Sequence, residues 1–503
     1  MATATPRPYP IPDSEPRCDD YEVSVNGVPA PVLPVRVSKY PFNRRWPGHE
    51  RDIGQTEVAG MVLLSTSGAA TLEITPGRDF SEAVVRPLSK KANVVRSERR
   101  LSVTIPGPGQ YTLELDDRHC NLHVFADPPT DFGVVPGPGV HYFGPGVHDA
   151  GLITLSSGET LYIDAGAVVH GRVEARDADN IRILGNGILD CSRVLPIPLR
   201  NDPAKDAEDL AKGFEVANVF RPDAILLEFC DNVLIDGPTI RDSQQYTIRP
   251  VGCRDLTIRN VKIVGNWRYN SDGIDMHNCR RVRISDCFIR AFDDSLCIKG
   301  FDAWMNEADM LHDGEMHDIF EDVLVERCTT WADWGRNFEI GAETRAREIR
   351  NVVFRDCDAI YATHICCDVQ NVDYADVHGI TFENIRCEYR TRQPEIRTQR
   401  TDADSYDGDE SGFHPARLLT ANVTYIPEYS AGGQRRGVNR DIVFRDIKVF
   451  APEMPPSLFA GYSEEGRVHD VTIDGLFLNG RRIASSDEAL IAVAAFADPP
   501  AFL

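Results

Sequence analysis

The sequence contains no uninterrupted apolar run of about eighteen residues, the length that predicts a membrane-spanning helix. Residues 1–8 carry no apolar segment and no cleavage pattern, so we expect no secretory signal and a cytoplasmic protein. Basic residues are in deficit, because 54 Lys and Arg stand against 77 Asp and Glu, a formal charge of −23. This charge argues against nucleic acid and anionic membrane as partners, and composition gives no indication of the oligomeric state.

Metal-binding cysteine patterns are also missing. The 13 cysteines include no Cys-x-x-Cys pair, and most of them, such as Cys230 and Cys287, occur in strand-like segments. We therefore expect buried, reduced thiols, no metal site of this kind and no cofactor. The acidic residues at 402–410 are explained by a solvated loop, and they leave calcium binding open as an alternative.

The first part of the chain divides into two segments. Residues 1–20 are rich in proline and are expected to be disordered or extended. Residues 21–130 alternate apolar and polar positions in short segments separated by turn residues, which predicts a small β-sandwich domain. Such a domain either packs against the rest of the chain and stabilises it or binds carbohydrate, and the pattern leaves both open.

One phrase recurs within residues 131–503: a polar residue, an apolar residue, any residue, a second apolar residue and then, within a few positions, Asp, Asn or Gly. Repeats of this kind predict an all-β fold, a β-solenoid whose coils stack like residues above like. Three longer intervals predict loops at about 196–221, 301–317 and 388–437, all on one side. The second apolar residue stands at positions 183, 235, 258, 284, 325, 354, 382, 444 and 473.

Three aspartates are spaced to meet on such a coil. Asp272 precedes the adjacent pair Asp293 and Asp294 by 21 residues, about one turn, so neighbouring strands bring the three carboxylates together. Cleavage of a glycosidic bond needs one acid to protonate the leaving oxygen and one carboxylate to activate water or to attack. Mutual repulsion and burial raise at least one pKa in such a set. Turn formation alone is the other explanation of these residues, and it is less favoured for three acids on successive coils.

From about residue 142 onward, the chain resembles glycoside hydrolase family 28, the polygalacturonase-like enzymes with a right-handed parallel β-helix. The motifs that carry the resemblance are Asn270-Ser271-Asp272, Asp293-Asp294 followed by Lys299, and the early turn Gly185-Asn186-Gly187. The resemblance implies inversion of configuration, with Asp293 as the general acid and with Asp272 and Asp294 holding and activating the water. An inverting pair is expected to stand roughly 6.5–9.5 Å apart.

Two departures from the family pattern concern the substrate. Arg336 stands where the family has a histidine, and residues 363–368 lack the Arg-Ile-Lys motif that grips a uronate carboxylate. Both departures indicate a neutral or differently charged sugar instead of galacturonan. Dextranase and isopullulanase enzymes, which are related, resemble this layout of three acids behind an N-terminal sandwich, so an α-glucan hydrolase is an open alternative.

The sequence thus predicts an exo-acting glycosidase whose three long loops wall the groove into a pocket. A lyase, which would use a lysine or arginine base, and a non-catalytic glycan-binding β-helix are the competing hypotheses. Aromatic, amide and charged residues near the acids are candidates for contact with the sugar. These candidates are Asn270, Gln245, Tyr246, Trp267, His277, Lys299, Arg336 and Glu339.

Overall fold

The computed structural model describes residues 5–44, 51–198, 219–301, 310–399, 403–406, 408, 410–427, 429–430 and 435–503. Apart from two short 3-10 helices at Ile53–Gln55 and Leu88–Lys90, the regular structure of these residues is β-strand. No helix among them is long and apolar enough to cross a membrane. The all-β class predicted from the sequence is confirmed.

The N-terminal part of the described chain forms a β-sandwich of two stacked sheets. Alternating apolar residues such as Val25, Leu72 and Leu113 form the core between the sheets. The inner sheet contains Arg7–Pro8, Leu33–Ser38, Thr56–Ser65, Ala83–Arg86, Gly109–Leu115 and Asp117–Asp127. The outer sheet contains Tyr21–Val25, Val28–Ala30, Ala70–Pro76, Asn93–Ser97 and Arg100–Ile105.

Residues 5–20 run along this sandwich as an extended segment. Arg7 and Pro8 pair antiparallel with Ser65 and Leu64 of the inner sheet. The ring of Tyr9 is only 7 % exposed. The proline-rich start of the chain thus has a strand at Arg7–Pro8 and turns near residues 13–15 and 19–20, and residues 1–4 lie outside the described residues.

From Val140 to Phe502 the strands form a right-handed parallel β-helix with three faces. The first face contains Ile225–Glu228, Ile248–Val251, Ile274–His277, Leu296–Lys299, Arg336–Ile340, Ile365–Asn371, Arg417–Val423, Ser457–Ala460 and Ile491–Val493. The second contains Val140–Phe143, Thr160–Ile163, Arg182–Leu184, Asp231–Asp236, Arg254–Arg259, Arg280–Ser285, Ile319–Glu326, Glu348–Arg355, Asp376–Glu383 and Ala501–Phe502. The third contains Ile188–Asp190, Thr239–Arg241, Lys262–Val264, Phe288–Ala291, Thr329–Ala332, Asp358–Tyr361 and Arg386–Glu388.

Four longer strands bend from one face to the next, and four short pairings lie outside the faces. The bent strands are Gly146–Thr154, Ala167–Arg176, Val438–Phe450 and Val468–Leu478. The short pairings join Phe42–Arg44 to Arg397–Gln399, Ile197–Pro198 to Val219–Phe220, Leu311–His312 to Glu315–Met316, and Arg481–Ile483 to Val468–Leu478.

The repeat predicted from the sequence stacks along the second face. Each of the nine predicted positions, from Ile183 to Ile473, pairs in register with the next one along the chain. Phe354, Phe382 and Phe444 stack with ring centroids 5.0 and 5.2 Å apart inside the coil. The Asp and Asn residues of the phrase adopt the left-handed conformation at the turns, which their short polar side chains tolerate.

The inner sheet of the sandwich packs on the third face of the β-helix. Apolar residues from both sides form one buried cluster, in which Phe125 lies 4.9 Å from Phe288, measured between ring centroids. The boundary also contains buried ion pairs, since Lys262 Nζ lies 2.9 Å from Asp127 and Arg290 Nε lies 3.3 Å from Asp333. The sandwich is therefore joined to the helix through a core and not through a linker alone.

The third predicted loop needs a correction. Residues 388–437 were expected to form one loop, but Arg417–Val423 is a strand of the first face that pairs with Ile365–Asn371. This strand lacks the recurring phrase with its Asp or Asn turn, so the sequence pattern missed it. Most of the predicted loop at 196–221, half of that at 301–317 and several positions of the acidic segment, including Asp402, Asp407 and Asp409, lie outside the described residues.

We expect Trp331→Ala to lower the free energy of unfolding by about 3–5 kcal/mol, because it opens a cavity between the sandwich and the helix. Trp331 is fully buried and lies under the guanidinium of Arg290 at 4.2 Å. Urea unfolding measures the loss. Val95→Ala is the control, because Val95 is 55 % exposed, and a similar loss in both variants would contradict a shared core.

Candidate active site

The three aspartates predicted from the sequence lie together where the third face turns into the first. Asp272 lies two residues before Ile274–His277, and Asp293 and Asp294 occupy the next turn, before Leu296–Lys299. The backbone N–H of Gly273 donates to the carbonyl of Asp294 at 2.8 Å, which stacks the two turns directly. Carboxylate oxygens of Asp272 and Asp294 lie within 4.8 Å of each other.

Two glycines allow this close stacking of turns. A Cβ atom on Gly335 would lie 2.3 Å from the backbone carbon of Asp293 and 2.5 Å from the nitrogen of Asp294. A Cβ atom on Gly273 would lie 2.3 Å from the carbonyl oxygen of Ser295. Both distances are shorter than atoms tolerate, so any side chain at these positions would push the acids apart.

The environment separates the protonation states of the acids. Burial and the adjacent Asp294 carboxylate raise the pKa of Asp293 well above its ordinary value. Burial and the Asp275 and Asp293 carboxylates raise the pKa of Asp272 in the same way. Burial opposes ionisation of Asp294 too, but the Arg336 and Lys299 cations outweigh it and lower the pKa of Asp294. The set therefore combines a protonated acid with an ionised carboxylate.

Lys299 lies between three carboxylates at the end of its strand. Its Nζ is 3.7 Å from Asp272, 3.1 Å from Asp275 and 3.3 Å from Glu343. Burial by itself lowers the pKa of a lysine, but the Asp275 and Glu343 carboxylates reverse this and raise the pKa of Lys299 well above its ordinary value. Lys299 is therefore a fixed cation that balances the acids.

Arg336 links the acid pair to the next coil. Its backbone N–H donates to Asp294 Oδ1 at 2.8 Å, and its guanidinium lies 3.4 Å from the same oxygen. The guanidinium also contacts Asp368 at 3.0 Å and Glu339 at 3.3 Å, and it donates to Gln370 Oε1 at 3.0 Å. Burial raises the pKa of Glu339 well above its ordinary value, although the Arg336 guanidinium opposes this shift.

Two further candidates lie beside Lys299. The Nζ of Lys299 lies 5.6 Å from the ring centroid of Tyr246, which places Tyr246 at the acids. His277 is in register with Lys299 one coil earlier, and its Nδ1 lies 3.0 Å from the carbonyl of Gly300. Burial lowers the pKa of His277 to about 3, so the ring is neutral and Nδ1 donates to that carbonyl.

The remaining candidates lie near the acids without a described contact to them. Trp267 donates through Nε1 to Asp242 at 3.0 Å. Asn270 has a φ of 54° in the turn before Asp272, a conformation that asparagine tolerates. Gln245 is half-buried, and its carbonyl accepts a hydrogen bond from Ser243 Oγ at 3.0 Å. These three residues thus stay candidates for contact with a sugar, in turns or along the sides of the groove.

The structure adds residues that the sequence patterns did not single out for the site. Asn43, from a segment of the sandwich, lies with Nδ2 3.4 Å from Asp293 Oδ2. Burial and the carboxylates of Glu343 and Asp293 raise the pKa of Tyr429. Burial and Arg336 lower the pKa of His364 to about 3. No local sequence pattern predicts that these residues lie at the site, because they are far from the aspartates along the chain.

The groove along the first face differs at its two ends. On the N-terminal side of the acids, Phe301 and Met310 pack on Val251, which is in register with His277. On the C-terminal side lies a cavity of about 570 Å³ that opens to solvent. Its lining residues are uncharged and carry apolar, aromatic, hydroxyl or amide side chains, and they include Gln370, Asn422, Thr424, Leu458 and Tyr462.

Among the described residues, one group has the spacing of metal ligands, namely Asp272, Asp294 and Cys297. Burial raises the pKa of the Cys297 thiol well above its ordinary value, so the sulfur stays protonated and is a poor ligand. The cation of Lys299 already lies against Asp272. The donor set therefore does not fit a resident metal ion.

The part of the chain that contains the three aspartates is similar in sequence to known proteins. The model of the glycosyl hydrolases family 28 matches residues 153–394, which include all three aspartates. A probable polygalacturonase from Vitis vinifera is 33 % identical over 86 residues, which are 17 % of this chain and only 18 % of that protein.

Two solved structures share the fold. Dex49A from Penicillium minioluteum matches with a TM-score of 0.54 and 12 % identity, covering 99 % of this chain and 96 % of that one. A family 28 exopolygalacturonase from Yersinia enterocolitica matches with a TM-score of 0.50 and 12 % identity, covering 82 % and 90 %. The β-helix that holds Asp272, Asp293 and Asp294 thus shares its fold with both structures, and residues 153–394 match glycosyl hydrolase family 28.

Proposed function

We propose that this protein is an inverting glycosidase that removes sugar units from one end of a neutral oligosaccharide. The observation that carries the proposal is the buried set of Asp272, Asp293 and Asp294 on adjacent turns, in which the pKa of Asp293 is raised and that of Asp294 is lowered. Acid and base in one set are what hydrolysis of a glycosidic bond requires.

The roles follow from the protonation states. Asp293 donates its proton to the glycosidic oxygen as the bond from that oxygen to the anomeric carbon breaks. The ionised Asp294 takes a proton from a water molecule, and Asp272 holds that water by a hydrogen bond. The water oxygen bonds to the anomeric carbon on the face opposite the leaving group, so the configuration inverts. Arg336, which contacts Asp294, and the nearby cation of Lys299 both favour the ionised form of Asp294.

A neutral sugar is favoured by the charges around the groove. Lys299 and Arg336, the two cations that contact the aspartates in the described chain, are each matched by several carboxylates. The described residues that line the open cavity include no lysine or arginine. A uronate carboxylate beside the aspartates would meet cations that are already matched by carboxylates, and in the cavity it would meet no described cation, so its desolvation would cost free energy. An α-glucan is one neutral substrate class compatible with these walls.

End-directed action is supported by the closed side of the groove. Phe301 and Met310 fill the space above Val251, on the N-terminal side of the acids. Among the residues that the structure describes, the open space for a sugar chain beyond the acids lies toward Gln370 and the cavity. The bond within reach of Asp293 is accordingly the terminal one, and each cleavage releases a short product.

The lyase hypothesis is less favoured by the chemistry of Lys299. A lyase base must lose its proton near neutral pH, and the carboxylates around Lys299 raise its pKa well above the ordinary value for lysine. Arg336 is held in its charged form in the same way by Glu339 and Asp294. Neither cation is suited to abstract a proton from a sugar ring.

To test the proposed function, the full chain is incubated with neutral gluco-, galacto- and xylo-oligosaccharides and, separately, with oligogalacturonates of the same lengths. Proton NMR follows the anomeric signal of the first product. We expect a neutral substrate to be cleaved, one short product to accumulate from the first time points, and its anomer to be opposite to that of the cleaved linkage. Retention of configuration, random internal cleavage or a preference for the uronates would contradict the corresponding part of the proposal.

A further inference from the structure

A segment of the sandwich crosses from the inner sheet to the acids. It leaves the sheet after Leu33–Ser38 and returns to it at Thr56–Ser65. Between these strands, Phe42–Arg44 pairs in parallel with Arg397–Gln399, which lies in the long connection after the third face. The side chain of Trp334 donates to the carbonyl of Arg397 at 2.9 Å, so this pair of strands stands beside the acid turn.

Asn43 is the residue of this segment that reaches the acids. Its Nδ2 lies 3.4 Å from Oδ2 of Asp293, and its side chain is buried, with 6 % of the residue exposed. Its Oδ1 has no hydrogen-bond partner within the part of the chain that the structure describes. Burying an amide costs free energy when one of its polar atoms has no hydrogen-bond partner. Because the described contact of the Asn43 side chain is to the acid, this cost indicates a function for the contact.

Arg51 holds the same segment in place from its other end. Its Nη2 donates to Ser38 Oγ at 2.7 Å and to the carbonyl of Tyr40 at 2.9 Å, which ties the start of the segment to its end. Its guanidinium lies 4.1 Å from the ring centroid of Phe292, the residue before Asp293. Arg51 therefore joins the described start of the segment, at Ser38 and Tyr40, to the side chain of the residue that precedes Asp293.

We propose that Asn43 is a positioning residue that fixes which oxygen of Asp293 carries the catalytic proton. An amide N–H that donates to Oδ2 makes this oxygen the acceptor, so the proton of the carboxylic acid resides on Oδ1. The acid then presents its proton in one orientation at the glycosidic oxygen. The inference rests on the proposed function, and it gives the sandwich a part in catalysis besides packing.

The contact also has a consequence for pH dependence. The titratable and polar groups that interact with Asp293 are the acidic Asp272, Asp275, Asp294 and Tyr429, the cationic Lys299 and Arg336, and the amide of Asn43. Donation from Asn43 stabilises the ionised form, so its removal raises the pKa of Asp293 further. Because the acid works only when protonated, the alkaline limb of kcat/KM then moves to higher pH.

The test compares Asn43→Ala and Asn43→Gln with Thr398→Ala in the full chain. Thr398 is exposed on the strand that pairs with Asn43, so its variant controls for disturbance of that pairing. We expect Asn43→Ala to lower kcat by about 10–100-fold with little change in KM and to shift the alkaline limb upward. Asn43→Gln, which keeps the amide, restores part of kcat, and Thr398→Ala matches the unchanged protein.

A substrate with a good leaving group tests whether Asn43 acts through the proton of Asp293. A nitrophenyl glycoside needs little protonation, so the deficit of Asn43→Ala shrinks on it if the residue acts through the acid proton. An unchanged kcat and alkaline limb in folded Asn43→Ala overturn the inference, as does an equal deficit on both substrates with no shift of the limb. If the unchanged protein cleaves no glycoside, the proposed function itself fails, which is a distinguishable outcome.

Discussion

Asp293→Asn is expected to lower kcat on an oligosaccharide by about 10²–10⁴-fold, the contribution of a positioned general acid. Asparagine keeps the shape of the side chain and removes the proton that the leaving oxygen needs. The fold is expected to persist, because a neutral amide relieves the repulsion that raises the pKa of Asp293 beside Asp294. Initial rates of sugar release and the melting temperature measure the two effects.

The leaving group again separates acid catalysis from other causes. On a nitrophenyl glycoside, the deficit of Asp293→Asn is expected to shrink, because that leaving group departs without a proton. Asp255→Asn is the matched control, since Asp255 is half-exposed and contacts Arg281 on the second face, away from the acids. Full activity of Asp293→Asn would show that Asp293 is not the general acid, whereas glycan binding without turnover by the unchanged protein would favour a non-catalytic glycan-binding protein.

Arg336→Gln is expected to lower the free energy of unfolding by about 3–5 kcal/mol, the cost of removing one partner from a buried ion pair. The guanidinium contacts Asp294, Glu339 and Asp368, and all three are buried. Without the cation, Asp294 stays charged in an apolar surrounding or takes up a proton. Urea unfolding at neutral pH measures the loss.

The same change acts on the pH profile. The folded protein lowers the pKa of Asp294, so this group contributes stability above its unfolded pKa, and the contribution is lost as pH falls through the folded pKa. Removing Arg336 raises that pKa, so the acid limb of kcat/KM moves to higher pH. Arg336→Lys keeps the charge and is expected to retain most of the limb position. An unmoved limb in Arg336→Gln would show that Arg336 does not hold Asp294 in its ionised form.

The β-solenoid and the proximity of the three aspartates could be predicted from local sequence patterns. One apolar position per coil recurs in a fixed phrase, and a parallel β-helix stacks such positions in register, as Ile235, Ile258 and Ile284 do. The 21 residues from Asp272 to Asp293 span one coil, so the same periodicity brought the acids together. The chain also contained the exception to this rule, the strand Arg417–Val423, which has no turn phrase.

Only the tertiary structure decided how the acids are controlled and what closes around them. Asp294 is ionised because Arg336 and Lys299 face it, and charges in separate strands have no relation in the sequence until the coil fixes their register. Asn43 lies 250 residues before Asp293 in the sequence and contacts it because the sandwich packs on the third face. This packing depends on the complementary surfaces of the two parts, which the spacing of residues in the sequence does not reveal. Periodic burial is a local property that sequence records, whereas contacts between distant segments are set by how two finished surfaces fit.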